Sequence, residues 1–224
     1  MKNKSSFALI LTGTVLILSA LFLCLYNISE DRKSGEKAQN VLEQLKNDIT
    51  PVVNSQENNF QKETEIFEQI QSGNAILSDA FSDTSQQVNN REVQGINYVG
   101  FITLPSLNLE LPVAGELNES VMSWAPCVYN GSAPTGDLII AAHNYSSHFR
   151  NIDSLVCGDT VYYTDVDGNV YEYQVTNTEI ISGTDAQAMV AGSQDSWDLS
   201  LFTCTLDGRN RITVRAVQVE NLSE

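Results

Sequence analysis

The sequence is short of positive charge. Among 224 residues, 12 Lys and Arg stand against 28 Asp and Glu, for a formal net charge of −16. A chain this acidic is repelled by phosphate backbones and anionic headgroups, so nucleic acid is not expected as a partner. Histidine is scarcer, with only His143 and His148 to serve as a proton-shuttling imidazole. Cysteine is also sparse, at Cys24, Cys127, Cys157 and Cys204. Cys24 lies in an apolar run, and the remaining three cannot all pair within one molecule, so at least one thiol is expected to stay free. Cys127 with Cys157 is the conceivable disulfide; two ordinary buried thiols are the alternative. Finally, a second long apolar run is missing, so the chain is expected to cross a membrane once.

The one such run is "FALILTGTVLILSALFLCLY", Phe7 to Tyr26, twenty residues without a charge. As a helix it spans a hydrocarbon core of ~30 Å. Lys2 and Lys4 precede it, which favours a cytoplasmic tail over residues 1–6 and an extracellular remainder. A cleaved signal peptide lacks an A-x-A-like site here, and a lipid-attached Cys24 is disfavoured by Leu23, so an uncleaved signal-anchor at the cell membrane is expected.

Residues 27–95 have a different texture. Val41, Leu42, Leu45 and Ile49 fall at helical spacing before Pro51, and Phe60, Ile66, Phe67 and Ile70 repeat the pattern weakly. The segments between are rich in Gln, Asn, Ser and Asp. The expectation is a stalk of short helices and linker that holds a domain away from the bilayer.

From residue 96 to 224 the pattern becomes β. Candidate strands are "YVGFITLP", "LELPVA", "GDLIIAAHN", "DTVYYTDV", "VYEYQVTNTEII", "DLSLFTCT" and "RITVRAVQV", separated by Pro, Gly and Asp-Gly turn signals. Seven or eight short strands predict a closed barrel or a sandwich. Short helices are expected at "VMSWAP", "HFRNIDSL" and "DAQAMVAG". No carboxylate cluster has calcium-loop spacing, and "DVDGN" at Asp165–Asn169 reads as a hairpin turn. No cofactor is expected; a calcium effect stays open.

The chemistry concentrates in "LSLFTCTLDGRNRITVRA", residues 199–216. If Asp207-Gly208 forms a two-residue type I′ turn, Thr205 faces Asn210 and Cys204 faces Arg211, with Cβ atoms roughly 4.5–5.5 Å apart. Arg209 and Arg215 share that strand at greater distance. A cation beside a cysteine favours the thiolate, and a guanidinium fork can hold an oxyanion. His143 ends the apolar run "LIIAAH" beside a polar loop, where an imidazole can sit at a cleft mouth. The rival reading for His143 is a partly buried polar residue, and His148 reads as a surface residue. Cysteine, histidine and arginine together suit acyl transfer.

These blocks, in this order, resemble the sortases, cysteine transpeptidases of Gram-positive surfaces. The resemblance rests on Ala142-His143, on Leu201-Phe202-Thr203-Cys204, on Arg211, and on "YVGFITLPSLNLELPVAGE" upstream, and it covers residues 98–218. The resemblance implies an eight-stranded sortase β-barrel with Cys204 as nucleophile, His143 as acid/base and Arg211 as stabiliser. Thr203 would contribute to substrate binding. It further implies cleavage of an LPxTG-like sorting motif in secreted proteins and transfer to a peptidoglycan-precursor amine. The lone N-terminal anchor argues against the pilus-polymerising type, and the order His then Cys against papain-like peptidases. The competing reading is a catalytically silent, anchored β-domain that binds wall or protein ligands.

Overall fold

The structure is a computed structural model that describes residues 2–49, 89–193 and 196–219. Its first element, α1, runs unbroken over Lys2–Asp48, about 70 Å at 1.5 Å per residue. The two halves of this helix meet different surroundings. The apolar run is bare, with Leu9 72% and Phe22 68% exposed. Farther along, Ala38, Val41, Leu42, Leu45 and Ile49 are buried, a stripe with the i, i+3, i+4, i+7 spacing of one helical face. Val41, Leu45 and Ile49 pack with Val93, Tyr98, Ala114 and Val166 of the β domain. Each such side chain contributes roughly 1.5–3 kcal/mol when fully removed from water. Lys46 adds an ion pair to Glu110 at 2.6 Å, and the Lys37 ammonium lies 3.0 Å from the centroid of the Trp124 ring.

This differs from the expected stalk. Residues 27–48 continue the apolar helix and dock on the β domain, because their apolar stripe finds a partner there that a local pattern cannot reveal. The second helical pattern, Phe60 to Ile70, lies outside the described residues.

Among the described residues nine strands follow: β1 (Arg91–Val93), β2 (Ile96–Leu104), β3 (Leu109–Ala114), β4 (Cys127–Asn130), β5 (Leu138–Ala141), β6 (Thr160–Asp165), β7 (Val170–Ser182), β8 (Leu199–Cys204) and β9 (Asn210–Gln218). Their order is β1-β2-β3-β4-β5-β8-β9-β7-β6, and β6 pairs back onto β2. Strands β2 to β9 therefore close an eight-stranded barrel, with β1 a short addition beside the start of β2. Closure leaves no open edge along the ring. Between strands lie α2 (Glu119–Met122), α3 (Ala186–Val190) and a 3-10 turn at Ile152–Ser154, the three places where helical punctuation was expected.

Most neighbours are antiparallel, but β3 with β4 and β5 with β8 run parallel, the latter with Ala141 opposite Phe202. A parallel pair needs a long crossover, and here it brings two distant segments of sequence to the same end of the barrel. The interior is filled by Ile102, Leu104, Leu111, Ile140, Leu201 and Val214, among others. The "DVDGN" segment is a hairpin turn, in which the Asp165 carboxylate accepts from the backbone N–H of Asp167 and of Asn169, both at 2.9 Å.

Candidate active site

Side chains alternate across a strand, and this alternation places the candidate residues. On β5 and β8, Leu138, Ile140, Leu199 and Leu201 enter the barrel core, as do Val214 and Ala216 of β9. The intervening Ile139, Ala141 and Phe202 join Ile181, Met189 and Trp197 in a second cluster on the outer face. Cys204 and Arg211 follow the outward alternation and sit directly opposite each other across β8 and β9. Beyond β5 the parallel register continues: the Ala142 N–H donates to the Phe202 carbonyl at 3.1 Å, and the Asn144 side-chain amide donates to the Cys204 carbonyl at 2.7 Å. Those two bonds bracket His143 and set it level with Cys204. Cys204 and Arg211 thus lie on the outer face at one end of the barrel, and His143 follows β5 on the segment bonded to that end of β8.

The Cys204–Arg211 pairing is the one expected from counting residues, but the turn is of another kind. The Gly208 N–H donates to the Thr205 carbonyl at 2.8 Å, so the tight turn is centred on Leu206-Asp207. Gly208 follows in the left-handed region with φ +73. Asp207 is not left-handed; instead its carboxylate accepts from Thr205 Oγ1 at 2.5 Å and from the Arg209 N–H at 3.1 Å. The Thr205 N–H still donates to the Asn210 carbonyl at 2.9 Å, so the register below the turn is unchanged.

A cavity of about 250 Å³ adjoins Cys204 and Arg211. Met122 of α2, Tyr129 of β4, Met189 of α3 and Phe202 of β8 supply apolar lining, and Glu119 adds a carboxylate. Glu119 stands on a helical turn capped by Asn118, whose side chain accepts from the N–H of Ser120 at 2.9 Å and of Val121 at 3.2 Å. The surroundings of His143 push its pKa below the ordinary imidazole value, chiefly through burial, with the negative charge of Glu119 opposing. The imidazole is therefore neutral at neutral pH and ready to accept a proton. A larger cavity, about 480 Å³, opens at the opposite barrel end near Leu138 and Asp165, and neither cysteine nor histidine lines it.

The three arginines near the hairpin behave differently. Arg211 rests on its own turn, donating from Nη1 to the carbonyls of Gly208 at 3.2 Å and Asn210 at 3.1 Å. Arg209 lies in the turn itself. Arg215 is buried, pairing with Glu179 at 2.8 Å and donating to the carbonyls of Met189 and Ala188 at 2.7 and 2.9 Å and to Ser200 Oγ at 3.0 Å. Its guanidinium also lies 4.6 Å over the Trp197 ring. Arg215 thereby fastens α3, one wall of the cavity, to the barrel.

Several expectations need correction. Thr203 faces inward and is 1% exposed; its hydroxyl donates to the Ala142 carbonyl at 2.9 Å. It is a fastener between β8 and the chain entering His143, and it does not line the cavity. His148 is not a surface residue, since it is 2% exposed and its Nε2 lies 3.0 Å from Ser34 Oγ of α1. Burial by α1 reverses the reading that its polar loop suggested. All four cysteines are unbridged: Cys127 is buried on β4, while Cys157 is exposed and its thiol donates to the Thr176 carbonyl at 2.9 Å.

Sequence reasoning did not single out Glu119, Asp31 or Ser34. Their only trace is local: Asn-Glu-Ser opens a helix with a good N-cap, and Asp31 and Ser34 carry no motif at all. Comparison with known proteins accords with the barrel. The Sortase domain model matches residues 102–219, more than half of the chain. The chain belongs to the sortase family. It is 32% identical over 123 residues to Sortase A of Bacillus anthracis, and it spans about 57% of that relative's length. Streptococcus pneumoniae Sortase C superposes with a TM-score of 0.55 at 18% identity, covering 83% of this chain and 99% of that one. Sortase C of Clostridium perfringens with its C-terminal cell wall sorting motif gives 0.51 at 17% identity, covering 83% and 98%. At these identities the structural likeness carries the sortase barrel alone.

Proposed function

We propose that this sortase-family chain is a cysteine transpeptidase, anchored by α1 in the cell membrane and acting outside the cell. Its substrates would be secreted proteins bearing a sorting motif similar to LPxTG, and its acceptor an amine of the peptidoglycan precursor. The observation that carries the reading is the outward pairing of Cys204 with Arg211 beside an apolar cavity, with His143 on the segment that continues β5 and is hydrogen-bonded to the end of β8. The bare apolar half of α1 supports the anchor, and Lys2 and Lys4 support its orientation. Membership of the sortase family supports a sorting-motif substrate, and the Clostridium perfringens sortase C structure was solved with a C-terminal cell wall sorting motif.

In this reading, neutral His143 takes the proton of the Cys204 thiol. The thiolate attacks the carbonyl carbon of the motif threonine, forming a C–S bond while the carbonyl oxygen gains the negative charge. The Arg211 guanidinium, swung from the hairpin carbonyls, holds that oxyanion. Collapse breaks the C–N bond to glycine, and the His143 imidazolium returns its proton to the departing amine. A thioester on Cys204 remains. The acceptor amine then attacks it, forming the new C–N bond as the C–S bond breaks, and gives its proton to His143 as the Cys204 thiolate leaves. The apolar lining from Met122, Tyr129, Met189 and Phe202 would receive the leucine and proline of the motif and withhold water from the thioester.

The test is turnover of a fluorogenic sorting-motif peptide with an added amine. Wild type should cleave and ligate, and Cys204→Ala should lose at least about a thousandfold in rate, as expected for removal of a nucleophile. Equal signals from both proteins would instead favour the silent ligand-binding barrel.

A further inference from the structure

The loop that carries His143, residues 142–150, is held from two sides. At its base the barrel grips it through the Ala142 and Asn144 hydrogen bonds to β8. Its apex is held by α1. The Asp31 carboxylate accepts from the backbone N–H of Ser146 and of Ser147, each at 3.1 Å, from Ser147 Oγ at 2.7 Å, and from Ser146 Oγ. Three residues on, Ser34 Oγ meets His148 Nε2 at 3.0 Å in a buried contact. From His148 a ladder of rings leads back to the site: His148 to Tyr145 at 5.5 Å between centroids, and Tyr145 to His143 at 5.2 Å. Close approach makes the grip tight, since a Cβ built on Gly35 would come within 3.0 Å of Ser147 Cβ.

We propose that Asp31 and Ser34 are positioning residues for His143, so that the turn of α1 just beyond the apolar run belongs to the catalytic apparatus. The kinetic part of this inference rests on the transpeptidase reading; the structural part rests on geometry alone. Asp31 lies five residues past Tyr26, so the helix that would anchor the chain also sets the height of the imidazole above Cys204. The charge complements the contact. Desolvation works against the Asp31 carboxylate, yet the Ser146 and Ser147 hydrogen bonds outweigh it and hold its pKa at about 2. The clamp is therefore charged at neutral pH. Loss of it would free two backbone N–H groups and let the loop apex drift, and displacements of about 1 Å at a reacting group can reduce rates by roughly a hundredfold.

The experiment uses the full chain in lipid nanodiscs with 13C-labelled histidine, where two histidines give two imidazole resonances. Asp31→Ala should lower kcat about tenfold with KM within about twofold, and should move the His143 resonance and its titration toward those of a solvated imidazole. Asp31→Asn, which can still accept one of the serine N–H bonds, should fall between. Ser34→Ala should move the His148 titration first and that of His143 less. Lys46→Ala, which removes the ion pair to Glu110 farther along α1, is the control for docking alone and should leave kcat and both titrations unchanged. The proposal is overturned if Asp31→Ala leaves the His143 titration as in wild type, or if Lys46→Ala reproduces the Asp31→Ala effects. If wild type turns over no sorting-motif peptide, the transpeptidase reading fails, while the His143 titration still decides the positioning claim.

Discussion

Cys204 and Arg211 sit on strands, whereas His143 sits on a loop, and the two halves of the site are held by different means. The strand half is fixed by ladder hydrogen bonds: six consecutive register pairs join β8 to β9, ending at Cys204–Arg211. The loop half leaves the sheet at Ala142 and depends on a helix more than a hundred residues away in sequence. A strand-borne residue inherits its place from neighbours that the sequence displays. A loop-borne one inherits it from whatever the fold happens to lay across the loop.

The strand half can be broken by chemistry without loss of fold. Arg211→Ala removes the cation opposite Cys204 and should reduce turnover about 10²–10³-fold, the range for loss of one oxyanion donor. Arg209→Ala should stay within about twofold, because Arg209 lies in the turn and not opposite Cys204. Steady-state kinetics on both variants, with Tm as the check on folding, decides the matter; equal losses would mean that register does not select the working arginine. Arg215, on the same face of β9, shows why side-chain type alone is a poor guide. Its guanidinium is consumed by Glu179, Ser200 and the α3 carbonyls.

This difference also explains what could be read beforehand. Alternation in "LSLFTCT" and "RITVRAV" fixes which residues face out, so the barrel and the Cys204–Arg211 pair were legible. The turn type was not: Asp207-Gly208 fits a type I′ turn, but the Thr205 hydroxyl and Asp207 carboxylate stabilise a turn one residue earlier. His148 was misread because burial is decided by partners distant in sequence, whereas alternation with Cys204 already turns Thr203 inward and only the family resemblance had suggested substrate contact. The stripe Val41, Leu42, Leu45 and Ile49 announced a buried helical face, but not that the barrel would bury it. Asp31 and Ser34 gave no signal, since a capping carboxylate looks like any surface Asp until its serines are placed beside it.

The loop half should fail in acid before the strand half does. Burial holds the His148 pKa down at about 4 against an ordinary 6.5; the Trp124 backbone and Asp31 favour its charged form, and His143 opposes it. Because the folded-state value is depressed, the unfolded chain binds the proton more readily. The stability from burying neutral His148 is full above pH 6.5 and falls progressively from pH 6.5 to 4. The shift corresponds to about 3 kcal/mol. Asp31 acts in a separate window, losing its contribution only as pH falls from 3.8 toward about 2. Thermal unfolding of wild type and His148→Asn at pH 7 and 4.5 should show the variant losing much less stability on acidification. Parallel losses would place the acid-sensitive group elsewhere.

The smallest effect tests the hairpin that holds the strand half together. Gly208 has φ +73, and a Cβ built there meets nothing within 4 Å. Substitution is therefore penalised by backbone conformation alone, roughly 1–2 kcal/mol for a left-handed L-residue. Gly208→Ala should lower stability by about that amount, and Gly208→Asn by less, because asparagine tolerates the left-handed region. Turnover of both variants should stay within about twofold, since the Thr205–Asn210 and Cys204–Arg211 pairs lie below the turn and are held by their own hydrogen bonds. A large drop in kcat for Gly208→Ala at unchanged Tm would tie the turn conformation to the Arg211 side chain. That outcome has a physical route, because the Gly208 carbonyl accepts from Arg211 Nη1. The strand half would then depend on its loop as His143 depends on α1.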